Sequence, residues 1–142
     1  QIMTPLREND VNYVLDVVGD NVGTRVVGRF AEHFVEGEYD MFCVVNANRE
    51  QTQTAEEVVR FIESMEATSK LKVTGLINNT HFIRQTTVED VLKGQKLAKE
   101  VSKLTNIPIK YVSCLRELVD SLPDDLEGDI LPIDLYMREE WM

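Results

Sequence analysis

The stretch Leu71-Lys72-Val73-Thr74-Gly75-Leu76-Ile77-Asn78-Asn79, followed after a short loop by Thr87-Val88-Glu89-Asp90, decides the fold. Residues 71–77 read as a strand that closes on an asparagine pair. Thr87 to Asp90 is a capping box: a threonine hydroxyl serves the amide three residues on, and an acidic side chain there reaches back. The helix it opens carries Val91, Leu97, Ala98, Val101 and Leu104 inward, and Asn106 and Pro108 stop it. A strand that feeds a helix and then a further strand, Ile109–Val112, is a unit of parallel sheet.

The same pattern extends in both directions. Upstream, Thr54-Ala55-Glu56-Glu57 is another capping box, with Val58, Phe61, Ile62 and Met65 on one helical face. Before it, Tyr39–Val45 reads as a strand, and Val26, Val27, Phe30, Ala31 and Phe34 give helical spacing over 24–34. Tyr13–Val18 is an apolar, β-branched run ending at Gly19, the signature of a strand buried on both faces. Thr4-Pro5-Leu6 reads as a capped helical turn. Downstream, Leu115, Leu118, Val119 and Leu122 predict a brief amphipathic helix ended by Pro123. Residues 123–142 are expected as an acidic loop and an apolar tail that packs back on the domain. The predicted order is β-α-β-α-β-α-β-α in a single domain of 142 residues, an α/β fold of three layers (α/β/α) around a mostly parallel sheet.

Composition narrows the function. The net charge of −10 argues against a basic surface gripping a phosphate backbone, so direct nucleic-acid binding is not expected. No apolar run approaches the roughly 20 residues that span a membrane. Cys43 and Cys114 form no CxxC pair and have no histidine cluster beside them. They read as thiols of a reducing, cytoplasmic compartment rather than zinc ligands.

In a parallel sheet the informative residues lie at the carboxyl ends of the strands. Asp16 ends the first apolar run and needs a partner there, either the next helix, which it would cap, or a hydrated metal ion. Gly19 allows close backbone approach to a ligand, and Asp20 follows it. Asn78 and Asn79 end the third strand. Their amides suit either a tight turn or the hydrogen-bonding edge of a base. Arg49 reads as a surface cation, His81 as a lone histidine near the asparagine pair, and Asp124-Asp125 as a solvated loop.

Together, Asp16-Val17-Val18-Gly19-Asp20, the strand ending in Val44-Val45-Asn46, and Val73-Thr74-Gly75-Leu76-Ile77-Asn78-Asn79-Thr80-His81 resemble the MinD/ParA-like (SIMIBI-class) P-loop ATPases, as does the tail Tyr136-Met137-Arg138-Glu139-Glu140-Trp141. The resemblance implies a P-loop-type fold that binds ATP and Mg²⁺. It places Asp16 at the metal through water, the Gly19 amide at the γ-phosphate, Asp20 at the catalytic water or against a switch element, and Asn78 with Asn79 at the adenine. It also implies a nucleotide-driven homo-oligomer.

One departure is large. The phosphate-binding G-x-x-x-x-G-K-[ST] motif is missing, since no Gly-Lys dipeptide occurs anywhere in the chain. In the family that motif follows a strand lying beside the Asp16 strand, so it is expected upstream of Gln1, and little hydrolysis is expected of this chain alone. Three arrangements follow: Tyr13–Val18 closes against Tyr39–Val45, two chains meet edge to edge, or a further segment completes the sheet. The alternative function is an α/β interaction or oligomerisation module without nucleotide chemistry.

Overall fold

The computed structural model describes residues 12–17 and 21–136. Four strands, β1 (Phe42–Val45), β2 (Gly75–Asn78), β3 (Ile109–Leu115) and β4 (Asp129–Ile133), form one sheet in chain order. Every neighbouring pair is parallel. Among the described residues three α-helices accompany them: α1 (Asn21–Gly28), α2 (Ala55–Ser69) and α3 (Val88–Thr105). The α/β class and the parallel sheet are therefore as the sequence predicts.

Both long helices begin where their caps dictate. The Thr54 hydroxyl accepts from the Glu57 amide at 3.2 Å, and its own proton goes to the Glu57 carboxylate. Thr87 and Asp90 complete the reciprocal box, with the Thr87 amide donating to Asp90 at 2.9 Å. Lys70 and Asn106 end the helices in left-handed conformation, φ 62° and 61°, each donating its amide back into the last turn. Gly28 lets α1 approach α2, because a Cβ there would run into the Thr68 carbonyl oxygen.

The topology determines which face is covered. Right-handed crossovers that always step the same way along a sheet land on the same face. Burial follows this rule. Cys43, Val45 and Leu76 pack with Val58 and Ile62 of α2 and with Ala98 and Val101 of α3. Val112, Cys114 and Ile130 continue that face against Val91 and Leu122. The opposite face carries Val44, Ile77, Tyr111, Leu131 and Ile133. Among the described residues no helix lies on it, and Val44 is 51% exposed. The expected third layer is thus not found among the described residues.

Several expectations need correction. Tyr13–Val17, the described part of the run Tyr13–Val18 predicted as the first buried strand, forms no strand and is exposed throughout, Val14 at 97%. Val18 and the predicted turn at Thr4-Pro5-Leu6 lie outside the described residues. Tyr13–Val17 does not close against β1, whose ladder among the described residues runs to β2 alone. The helix expected over 24–34 is α1 at 21–28 and a separate 3₁₀ turn at 31–33. The segment 116–121 is likewise 3₁₀ rather than α.

The stretch expected as a tail contains β4, parallel to β3 from Asp129 to Ile133. β3 itself runs on to Leu115, three residues beyond the predicted end, and that extension supplies the ladder β4 needs. Pro132 is tolerated because β4 is an edge strand.

Candidate functional site

The carboxyl ends of β1, β2 and β3 converge on a network of neutral polar groups. At the end of β1, Asn46 turns the chain. Its Oδ1 accepts from the Asn48 amide at 2.9 Å, and its carbonyl accepts from the Thr52 hydroxyl at 2.6 Å. Thr80, two residues past β2, accepts from the Ala47 amide at 3.0 Å and so ties the two loops together. The Asn79 amide donates to the Val45 carbonyl, carrying the β1–β2 register past the end of the ladder. Ser113 of β3 donates its hydroxyl to Asn79 Oδ1.

Asn78 is the centre of this network, and it is fully buried. Its Nδ2 donates to the Val91 carbonyl and to Gln95 Oε1, both at 3.0 Å, and its Oδ1 accepts from the Thr80 amide at 3.2 Å. Gln95 in turn donates to the Glu127 carbonyl at 3.0 Å. One side chain therefore couples β2, α3 and the loop leading to β4. α3 can come this close only because residue 94 is glycine: a Cβ there would collide with Thr80 Oγ1 and Asn78 Oδ1.

Nearer the surface, Asn48 links the loops after β1 and β2. Its Nδ2 donates to the His81 carbonyl and to Asp90 Oδ1, both at 3.2 Å, while Lys93 Nζ donates to its Oδ1 at 3.0 Å. The Asp90 carboxyl titrates below its ordinary value, chiefly because the Thr87 backbone amide donates to it. Asn48, the Thr87 hydroxyl and the Lys93 charge add to this, and burial opposes it. In the loop His81–Gln85, Ile83 takes φ 50°, a strained value for a β-branched residue. The Thr86 hydroxyl, accepting from the Phe82 amide at 2.8 Å and donating to the Ile83 carbonyl at 2.6 Å, holds it there. Phe82 is left 59% exposed.

The β3 and β4 ends bear a separate cluster. Arg116 grips Asp134 through Nε and Nη2 at 3.2–3.3 Å, and Tyr136 donates to the same carboxylate at 3.0 Å. Hydrogen bonding between the two shifts each in the direction that favours its charge, Arg116 upward and Asp134 downward. The pair is solvent-exposed and contributes little to stability.

Of the residues selected from sequence, only Asn78 and Asn79 are brought together at the strand ends. Asp16 is exposed within residues 12–17, and Gly19 and Asp20 lie outside the described residues. As an adenine reader Asn78 does not fit, since every group on its amide is engaged inside the chain. Asn79 fits better: it is partly exposed, and among the described residues its Nδ2 has no hydrogen-bond partner. The asparagine pair thus divides into a structural member and an available one. The Asn48–Asp90–Lys93 cluster and the Arg116–Asp134 grip were not legible beforehand, because each joins residues 18 to 45 positions apart. Amides and hydroxyls of this kind match the donor and acceptor pattern of a planar ligand edge. No protein-family model, curated protein or solved structure matched the chain.

Proposed function

We propose that the chain is the distal part of a Mg²⁺–ATP-binding domain of MinD/ParA-like type, inactive in hydrolysis by itself. The observation that carries this reading is an unfinished sheet. Among the described residues β1 has a ladder partner on one side only. The apolar segment Tyr13–Val17 is exposed, although α1 joins it to β1 as a crossover would. One further parallel strand, bearing the phosphate-binding loop and inserted between them, would pair with β1 and give Tyr13–Val17 a neighbour.

Helices travelling with that strand would step away from β1 in the opposite direction. They would therefore land on the face that now exposes Val44 and Leu131. The insertion would also align Asp16 and Gly19 with Asn79 at the carboxyl edge.

In that assembly Mg²⁺ would neutralise phosphate charge. Asp16 would hold it through water, the Gly19 amide would face the γ-phosphate, Asp20 would orient water, and the Asn79 amide would read the base. The phosphate-binding loop supplies most of the positioning and charge neutralisation that phosphoryl transfer needs, which is why the chain alone is expected to be inert. Nucleotide-dependent dimerisation in a cytoplasmic setting belongs to the same reading.

A second reading, an α/β interaction module without nucleotide chemistry, draws support from the complete internal engagement of Asn78. Calorimetric titration with ATP, with and without Mg²⁺, separates the two. Saturable, Mg²⁺-dependent heat that weakens in Asp16→Ala and Asn79→Ala supports the nucleotide site. No heat at millimolar ATP favours the interaction module once the native gene product, with any phosphate-binding loop it encodes, gives none in the same titration.

A further inference from the structure

At the β4 end of the molecule, on the helical side, two grooves adjoin along a shared ridge of Pro123 and Leu126. They carry opposite charge. The first, about 470 Å³, runs along α3 and presents Lys96, Lys99 and Lys103 over the half-exposed Leu92. These lysines are three and four residues apart, so they form one stripe on the helix. All three are exposed, and among the described residues none of them pairs with a carboxylate. The second groove, about 450 Å³, presents Asp120, Asp124 and Asp129 over Val119 and Ile130.

In a chain of net charge −10, a helix face with three lysines in one stripe is conspicuous. A nucleic acid or an anionic bilayer fits it poorly, because the acidic groove adjoins it across the shared ridge and Glu100 and Asp125 line the lysine groove itself, so a polyanion seated on the lysines would meet like charge. The juxtaposition suits a surface that carries the opposite pattern side by side. A two-fold axis through the ridge supplies that surface from the same chain. An isologous interface requires a self-complementary patch, and a basic groove abutting an acidic one across an apolar ridge is such a patch.

We propose that this face forms a two-fold homodimer, with the lysine groove of each copy on the aspartate groove of the other and the Pro123 and Leu126 ridges in contact at the axis. The inference is independent of nucleotide and lies at the far end of the sheet from the open β1 edge. Glu100 and Asp125 also line the lysine groove. They temper its charge and place the contact among reversible, salt-sensitive interfaces.

Sedimentation velocity on the chain without nucleotide tests it, at about 50 mM and about 500 mM NaCl, where the screening length differs roughly threefold. A monomer–dimer equilibrium that weakens about tenfold or more in the higher salt is expected. Lys96→Glu/Lys99→Glu and Asp120→Lys/Asp124→Lys should each be monomeric, and an equimolar mixture of the two should restore a heterodimer, since both contacts then regain opposite charge. Circular dichroism and melting of each variant establish that it is folded. A chain monomeric at low salt, a dimer indifferent to salt, or folded reversal variants whose mixture stays monomeric overturns the proposal.

Discussion

Replacing Asn78 by alanine tests the division of labour between the two strand-end asparagines. The side chain makes three hydrogen bonds in a site with no solvent exposure. Alanine leaves Gln95 Oε1 without its donor, the Thr80 amide without its acceptor, and the Val91 carbonyl without a side-chain partner. Each buried group so abandoned costs about 1–3 kcal/mol. Water entering the vacated space recovers part of that, because the site is polar and has several partners to offer.

The expected net loss is about 3–4 kcal/mol, a large share of the roughly 5–15 kcal/mol that holds a domain together. At about 3 °C per kcal/mol for a chain of this length, the melting temperature falls by about 10 °C. Urea unfolding followed by far-UV circular dichroism gives the figure directly, with the midpoint moving and the slope unchanged. Asn79→Ala breaks only the bond from Ser113 and should lose about 1 kcal/mol. A loss below about 1 kcal/mol for Asn78→Ala, within the usual effect of surface substitutions, would refute the structural assignment and return Asn78 to the ligand-reading role.

Burial pushes the Cys43 thiol up to about 12 and raises Cys114 as well, with Glu117 adding to the latter. Neither should react with a thiol reagent at pH 8 until denaturant opens the fold, and prompt labelling of Cys43 in the native chain would contradict the packing of β1. Asp90→Ala should cost about 1 kcal/mol at pH 7, because the Thr87 amide loses its acceptor in the reciprocal half of the α3 capping box. Because the folded carboxyl titrates below its unfolded value, its contribution is present above about pH 4 and is lost as the pH falls through the folded value. The gap between variant and parent should therefore close in acid, which parallel thermal melts at pH 7 and pH 3 measure.

The two long helices were legible because their signals are local. Thr54 and Thr87 cap within four residues, Asn106 stops α3 by adopting a left-handed conformation, and the apolar stripes of α2 and α3 repeat every turn. β1, β2 and β3 were legible as apolar runs flanking those helices, with ends displaced by up to four residues. Over its described part, Tyr13–Val17, the first predicted strand failed for a different reason. Its composition suits a strand between two others, but a strand forms only where a neighbouring ladder exists, and β1 does not supply one to it. β4 failed in the opposite direction: Asp129–Ile133 contains a proline and follows an acidic loop, yet the extended end of β3 gives it an edge to join.

The sequence by itself determined the alternation of helix and strand, the parallel class of sheet and the polar character of the strand ends, since caps, periodicity and turn residues act over a few positions. Only the tertiary structure decided that one face of the sheet carries the described helices, that Asn78 is consumed inside the chain while Asn79 faces outward, and that Lys96 and Asp124 lie on adjoining grooves. These outcomes depend on which distant segments meet. That is determined by the order of the strands and the close approach permitted at Gly94, and neither is encoded in any one stretch of chain.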